Sequence, residues 1–239
     1  MKTALITGGA ARIGAQIVKT LHDNNFKIVI HCNRSLEKAK LLSDNLNSIS
    51  KDTVKVISGD LNNIDNISTI VESIESLDLL VNNASVFYPK SVENSEIEDW
   101  DNVLNVNLRA PFFLSKGLSK KLANNDGSII NIIDIHSDKP LKNHAVYNIS
   151  KAGLKMLTQT LAKELAPRIR VNGVSPGYIL WPEATKEISD IEKKLMLERI
   201  ALNKQGSPHD IADTVLFLAN SDYITGQIIN VDGGRTLNQ

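Results

Sequence analysis

The sequence lacks the features of several large classes of protein. Its single cysteine, Cys32, cannot form an intramolecular disulfide, which favours a reducing compartment. Lys and Arg together number 27, as do Asp and Glu, so there is no basic excess to bind nucleic acid or anionic lipid. No apolar run is long enough to cross a bilayer, and Gly8 and Gly9 interrupt the apolar start of the chain before it reaches the length of a signal peptide. We therefore expect a cytoplasmic protein without nucleic-acid or membrane partners.

The chain also lacks internal repeats, low-complexity stretches and linker-like changes of composition. Its 239 residues are enough for one α/β domain with a substantial core. We therefore expect residues 1–239 to form a single domain. No set of His, Cys or carboxylate residues has the spacing of metal ligands, so no metal site is predicted.

The chain does contain a regular alternation of apolar runs and helix-type segments. Most apolar runs are continuous, which is typical of strands covered on both faces of a parallel sheet. The predicted strands are Thr3–Thr7, Lys27–His31, Val54–Ser58, Leu77–Val81, Ser128–Ile133, Arg170–Val174 and Gln227–Val231. The predicted helices cover residues 13–23, 36–48, 63–74, 97–123, 145–165 and 208–219. This order predicts an α/β fold: a single Rossmann-type, doubly wound parallel sheet of about seven strands with helices on both faces.

One irregular insertion, at about residues 178–207, interrupts the alternation between the sixth and seventh strands. It follows the carboxyl end of a strand, where ligands bind in sheets of this kind. It is either a lid over the substrate or a plain surface excursion, and the sequence does not separate the two.

A glycine-rich turn, TGGAARIG at residues 7–14, follows the first strand and opens the first helix. Such a turn brings backbone N–H groups and the positive end of a helix to a pyrophosphate. The second strand ends in residues 31–35, HCNRS, without the acid that would accept from ribose hydroxyls. Arg34 can clamp a 2′-phosphate instead, and Asn33 and Ser35 can donate to it. We therefore predict NADPH as the cofactor.

Two further strand ends contribute to the predicted cofactor site. Asp60, followed by Leu61, could accept from the adenine amino group, or it could cap the next helix. Asn83, Ala84 and Ser85 follow the fourth strand, where amide and small residues let the backbone approach the cofactor.

Tyr147 and Lys151 are four residues apart in a helix-type segment and so share one face. A cation beside the phenol should lower its pKa towards neutrality. The pair could then exchange protons while a nicotinamide transfers hydride. The pattern Tyr-x-x-x-Lys is common by chance, but it becomes specific when it occurs together with the glycine-rich turn upstream.

With these motifs the chain resembles the short-chain dehydrogenase/reductase family along essentially its whole length. The matching motifs are TGGAARIG, GDL at 59–61, NNAS at 82–85, NVNLRAPF around Asn107, YNISK at 147–151, SPG at 175–177 and VDGG at 231–234. The resemblance implies that Tyr147 donates a proton, that Lys151 contacts the ribose and that Asn107 holds a water of a proton relay. It also implies a Rossmann fold and a homotetramer, with further cofactor contacts from Gly8, Ile13, Gly14, His31, Leu61, Pro176 and Gly177.

Two residues depart from the usual pattern of that family. Arg12 replaces a glycine of the turn, and Asp134 stands thirteen residues before Tyr147, where serine is usual. A carboxylic acid can deliver a proton to nitrogen, which suits reduction of a C=N bond. Each departure also has an ordinary explanation, since Arg12 could point to solvent and Asp134 could be a turn acid or a helix cap.

Both departures resemble the pteridine reductases. In that family the arginine matching Arg12 touches pterin and phosphate, the serine matching Ser85 contacts cofactor and ligand, and the aromatic matching Phe87 stacks on the pterin. Asp134 and Tyr147 complete the implied substrate site. The resemblance implies NADPH-dependent reduction of a dihydropterin, with pterin and dihydrofolate as further substrates and antifolates as inhibitors.

Two alternatives compete with this hypothesis. The first is a carbonyl reductase of the same fold, such as a 3-oxoacyl-thioester reductase. The second is a non-catalytic NADPH-binding sensor, which would have no need of Asn107, Tyr147 and Lys151.

Overall fold

The computed structural model describes residues 1–180 and 190–237 and contains a seven-stranded sheet. The strands are β1 Lys2–Ile6, β2 Phe26–Cys32, β3 Val54–Ser58, β4 Leu79–Asn82, β5 Ser128–Ile132, β6 Arg170–Pro176 and β7 Ile228–Val231. The helices are α1 Arg12–Asp23, α2 Leu36–Ile49, α3 Ile64–Ser73, α4 Ile97–Leu104, α5 Ala110–Ala123, α6 Ala145–Glu164, α7 Asp190–Glu198 and α8 Pro208–Ala219.

The strand order is β3-β2-β1-β4-β5-β6-β7, and every pairing is parallel. The order reverses direction between β1 and β4. In an open parallel sheet, the crevice at such a reversal, outside the carboxyl ends of the strands, is where ligands bind. The predicted fold class is confirmed, and the residues after β1 and β4 are brought together.

Continuous apolar strands are explained by two separate cores, one on each face of the sheet. On β1, Ala4 and Ile6 join the core formed with α1 and α8, whereas Leu5 points to the core formed with α3, α5 and α6. Because successive side chains of a strand alternate between faces, both sets must be apolar when both faces are covered.

The predicted helix over residues 97–123 is divided by a π-helical turn, Asn105–Arg109, which separates α4 from α5. A π-helical turn adds one residue to the helical turn, and such turns are frequent at functional sites. Here the turn carries Asn107 to the loop after β4 and to α6. The apolar spacing did not reveal the extra residue.

The insertion at 178–207 is described in part. Tyr178–Leu180 and the segment from α7 onwards belong to the described residues, whereas 181–189 lie outside them, so the choice between lid and surface excursion stays open. Among the described residues, no helix is long and apolar enough to cross a membrane.

Candidate active site

The glycine turn between β1 and α1 is tightly packed against the loop after β4. Gly8 has φ +63°, and a Cβ there would lie 3.0 Å from Ala84 Cα. A Cβ on Gly14 would collide with Gly8 O and Asn83 Nδ2. Glycine is therefore required at both positions, by conformation at Gly8 and by space at Gly14.

Hydrogen bonds lock this turn to the end of β4. Asn83 Nδ2 donates to Thr7 O at 2.8 Å and to Gly8 O at 3.1 Å. The Thr7 hydroxyl accepts from the Asn83 and Ala84 N–H groups at 2.9 and 3.0 Å. The side chain of Asn83 thus shapes the turn, and Thr7 is a site residue that the sequence analysis left without a role.

Arg12 begins α1 with φ +52°, in the left-handed region that ordinary side chains avoid. Its side chain is exposed, and the neighbouring Ile13 packs against the core. Unfavourable backbone conformations of this kind are found preferentially at active sites and ligand-binding sites. The predicted contact of Arg12 with phosphate and substrate remains a prediction.

The end of β2 presents the residues predicted to read the 2′-phosphate. Asn33 and Arg34 are exposed, and Ser35 immediately precedes α2. Asp60 Oδ1 accepts from the Asn62 N–H at 2.9 Å, and Leu61 is buried. The cap of α3 is Asn63, so Asp60 closes the turn before that helix instead of capping it.

The phenol predicted to transfer a proton is buried beside a carboxylate. Tyr147 OH donates to Asp134 Oδ2 at 2.7 Å, and Asp134 Oδ1 accepts from the His136 N–H at 2.8 Å. Asp134 is therefore an acceptor at both oxygens and also caps the short 3₁₀ helix Ile135–Ser137. Burial first, and Asp134 second, raise the pKa of Tyr147 well above its usual range.

Lys151 lies on the same face of α6 as Tyr147, as the spacing predicts. Its Nζ donates to Ile132 O at 3.0 Å and lies 5.6 Å from the centroid of the Tyr147 ring. Burial lowers the pKa of Lys151 to about 8, against the opposing attraction of Asp134. Burial and the Asp134 carboxylate act on the phenol in the direction opposite to that expected of Lys151, so the pKa of Tyr147 is raised instead of being brought towards neutrality.

Asn107 connects three parts of the site through its side-chain amide. Its Oδ1 accepts from the Val86 N–H at 2.7 Å, while its Nδ2 donates to Val86 O at 3.0 Å and to Ser150 Oγ at 3.1 Å. The predicted relay water remains untested, and the amide already has protein partners. Ser150, fully buried between Tyr147 and Lys151, is a site residue that sequence reasoning missed; its small polar side chain inside YNISK was the available signal.

An aromatic group stands beside Tyr147. The Phe87 ring stacks on His144, with centroids 4.7 Å apart and an interplanar angle of 18°, and meets the Tyr147 ring edge-on at 4.8 Å. Phe87 is 53% exposed, and Ser85 is also exposed. The structure thus brings Phe87 close to Tyr147. His144 covers one face of the Phe87 ring, although the sequence analysis expected Phe87 to stack on a ligand.

The opposite side of the site follows β6. Pro176 ends that strand, and the Gly177 N–H donates to Val231 O at 3.0 Å. A Cβ on Gly177 would lie 2.6 Å from Asp232 Cβ, so the glycine permits close packing of this turn on β7. Both residues lie near the carboxyl edge of the sheet, and their contact with the cofactor remains a prediction. Among the described residues, no group of three or more His, Cys, Asp or Glu side chains could hold a metal.

These residues fit a dinucleotide. The glycine turn leads directly into the N-terminus of α1, where backbone N–H groups can bind a pyrophosphate, and its close packing leaves no room for a side chain at Gly8 or Gly14. At the other end, Tyr147 and Lys151 are held by Asp134 and Ile132 O at the carboxyl edge of β5. A cofactor phosphate and a reacting group would both find suitable partners.

The fold and this pair of sites define an oxidoreductase built on a dinucleotide-binding sheet. A family model described as enoyl-(acyl carrier protein) reductase matches residues 8–236. The chain belongs to the short-chain dehydrogenase/reductase family.

Its curated relatives include the 3-oxoacyl-[acyl-carrier-protein] reductase FabG of Rickettsia bellii, 38% identical over 99% of this chain and 97% of the relative. The protein of the same name from Staphylococcus aureus strain Mu50 is 34% identical over 98% of this chain and 97% of the relative. A similar solved structure is FolM alternative dihydrofolate reductase 1 from Brucella canis, complexed with NADP. It has a TM-score of 0.89 and 34% identity, covering 100% of this chain and 95% of that one.

The predicted pteridine reductase function is wrong by these comparisons, because the full-length curated relatives are named as reductases of 3-oxoacyl carrier-protein substrates. The physical reason lies at Asp134. The inference of a C=N substrate required this side chain to deliver a proton, whereas it accepts hydrogen bonds at both oxygens. A phenol that is hydrogen-bonded to a carboxylate can donate its proton to a carbonyl oxygen equally well. An aspartate at position 134 therefore did not identify which bond is reduced. The expected inhibition by antifolates loses its basis with the pterin.

Proposed function

We propose that this chain reduces the 3-oxo group of a 3-oxoacyl thioester with NADPH, as a single reductase domain over residues 1–239. The observation that carries the proposal is the buried Tyr147 hydroxyl group, held at 2.7 Å from Asp134 with Lys151 on the same helix face. This is a protonated group placed to donate to an oxygen that becomes negative. The names of the curated relatives support the substrate class.

The prediction of NADPH as cofactor is confirmed by the family and by the related structure complexed with NADP. When bound, the cofactor supplies a hydride. Residues 8–14 and Arg34 would hold its phosphates, and Lys151 would contact its ribose. In this proposal Gly8, Ile13, Gly14, Asn33, Ser35, Leu61, Asn83, Ala84, Ser85, Pro176 and Gly177 complete the cofactor pocket.

The protein's own residues manage the proton. Tyr147 transfers its hydroxyl proton from the hydrogen bond with Asp134 to the ketone oxygen of the substrate. The carbon of that ketone gains a hydride and its oxygen gains a proton, so the product is a 3-hydroxyacyl thioester. Asn107 bonds Val86, in the loop after β4, and Ser150, on α6. These bonds hold that loop against α6 and so fix the position of Tyr147 for the transfer.

The proposal includes a homotetramer, as the family resemblance implies. Exposed apolar side chains on two helices that pack on the same core, Phe112 on α5 and Ile149 and Met156 on α6, support contact between copies through these helices.

Steady-state oxidation of NADPH tests the substrate class. We expect kcat/KM for an acetoacetyl thioester to exceed that for dihydrobiopterin or dihydrofolate by about 100-fold or more. Tyr147→Phe should lower kcat by about 100-fold or more, and Tyr223→Phe, which changes a fully exposed tyrosine, should leave it unaltered. A preference for the dihydropterin, or no oxidation with any of these substrates, would overturn the proposal.

A further inference from the structure

His31 lies in β2 beneath the glycine turn and is 1% exposed. Its Nδ1 accepts from the Gly8 N–H at 3.4 Å, and its Nε2 bonds Gly59 O at 3.0 Å. The backbone extends the connection, because the Gly9 N–H donates to His31 O at 3.0 Å. One side chain therefore joins the turn after β1 to the turn after β3.

These partners fix the protonation of the ring. A backbone carbonyl such as Gly59 O can only accept, so Nε2 must carry a hydrogen. A backbone N–H such as that of Gly8 can only donate, so Nδ1 must not. The arrangement therefore requires the neutral imidazole with its hydrogen on Nε2, and protonation would set Nδ1–H against the Gly8 N–H.

We propose that neutral His31 is a positioning residue for NADP(H), which holds the Gly8 turn in its binding conformation without contacting the cofactor. The first N–H groups of an α-helix have no carbonyl partner within the helix, and those at the start of α1 would be the donors to a pyrophosphate. Their position follows from that of Gly8, which His31 fixes. The sequence analysis placed His31 among cofactor contacts, but both of its ring nitrogens are occupied by backbone atoms.

The surroundings of His31 determine when the ring is neutral. Among the described residues, the charge acting on it is Asp60, which favours the protonated ring, as does the bond to Gly59 O. Burial opposes both more strongly and lowers the pKa of His31 below its usual value. The adjacent titratable group, Cys32, is a buried thiol whose pKa is raised by burial. The ring is therefore neutral near pH 7 and becomes protonated on acidification.

Protonation of His31 should therefore lower the affinity for NADP(H) at acid pH, and this part of the loss is due to the protein and not to the ligand. Acidification also titrates phosphate groups of the ligand, so wild type alone does not isolate the imidazole. His31→Gln removes the titrating group but retains an amide that can donate and accept. His22→Gln is the matched control, because His22 is also buried but lies in the last turn of α1, bonded to Thr53.

Calorimetric titration with NADP⁺ tests the proposal at about pH 7.5 and at a lower pH where ¹⁵N chemical shifts show the His31 ring to be protonated, with circular dichroism to verify folding at each pH. Wild type and His22→Gln should lose about tenfold more affinity on acidification than His31→Gln, the factor expected for one buried hydrogen bond. Equal losses in wild type and His31→Gln would overturn the proposal. The measurement concerns the cofactor alone, so its result is independent of the carbonyl substrate.

A second measurement on the wild-type chain keeps the proposal testable if His31→Gln does not fold. Nitrogen chemical shifts of ¹⁵N-histidine-labelled protein report which ring nitrogen carries hydrogen. We expect His31 to be neutral with hydrogen on Nε2 at pH about 7.5. A ring that is protonated, or that carries its hydrogen on Nδ1, would overturn the proposal.

Discussion

The Tyr147 hydroxyl group donates a hydrogen bond to Asp134 Oδ2 at 2.7 Å, across thirteen residues of chain. The carboxylate stabilises the protonated phenol, and burial acts in the same direction. The group that must give up a proton is thereby kept protonated over a wide range of pH. Lys151, whose Nζ is held by Ile132 O, does not cancel this effect.

The first prediction concerns the alkaline limit of activity. Carbonyl reduction needs Tyr147 protonated, so activity falls once the phenol loses its proton. Asp134→Asn removes the negative charge, which helps to raise the pKa of Tyr147 and also opposes the lowering of the pKa of Lys151. The loss of either proton should then occur at a lower pH, so the activity of the variant should decline at a lower pH than that of wild type. The measurement is kcat for the ketone substrate as a function of pH.

Two further substitutions at the same position make this prediction specific. Asp134→Ser also removes the charge and should shift the alkaline limit in the same direction. Asp134→Glu retains the charge and should leave the limit closer to that of wild type. An alkaline limit that is the same with and without the charge would contradict the role assigned to Asp134.

The second prediction concerns the stability cost of burying Lys151. Below pH 8 this lysine is charged in both folded and unfolded chains, and the folded chain carries the cost of burying the charge. Lowering the pKa from 10.5 to about 8 corresponds to a cost of roughly 3 kcal/mol. Replacing the group leaves Ile132 O without its donor, which costs about 1–3 kcal/mol. Lys151→Met should therefore raise the free energy of unfolding at neutral pH by up to about 2 kcal/mol while abolishing activity.

The pH dependence distinguishes this explanation from a general gain of apolar packing. Between pH 8 and 10.5 the folded lysine loses its proton while the unfolded one keeps it, so wild-type stability rises with pH. The advantage of Lys151→Met should disappear across that interval in urea unfolding experiments. Lys163→Met, which changes an exposed lysine on the same helix, serves as control. An advantage that persists above pH 10.5 would contradict desolvation as its cause.

The strands and helices were predicted well because two signals in the sequence were strong: the apolar composition of the strands and the residues that bound the helices. Strands such as Leu79–Asn82 are short, mostly apolar and buried, and helix 208–219 is bounded by Pro208 and by the polar residues after Ala219. The π-helical turn at Asn105–Arg109 was missed because it inserts one residue without altering composition. Such an insertion depends on the contacts of Asn107 with Val86 and Ser150, which are distant in sequence.

The placement of Tyr147 and Lys151 on one helix face could be predicted from the sequence, whereas the electrostatics around them could not. Tyr147 and Lys151 share a face, as their spacing required. The direction of the shift in the pKa of Tyr147 depends on its distances to Asp134 and Lys151 and on its burial, none of which spacing encodes. The same limit applies to Asp134, whose role depends on whether it donates or accepts.

The last prediction concerns the choice between NADPH and NADH. Arg34 is exposed at the end of β2, where a 2′-phosphate would lie if residues 8–14 hold the pyrophosphate. A charge-assisted hydrogen bond contributes about 1.5–3 kcal/mol, so Arg34→Leu should raise the KM for NADPH by about 10- to 100-fold. NADH lacks the phosphate, and its KM should change little. Lys38→Leu, at an exposed lysine of the adjacent α2, should leave both values near wild type. Equal increases in the two KM values for Arg34→Leu would indicate a general loss of the site and would refute a phosphate clamp at this residue.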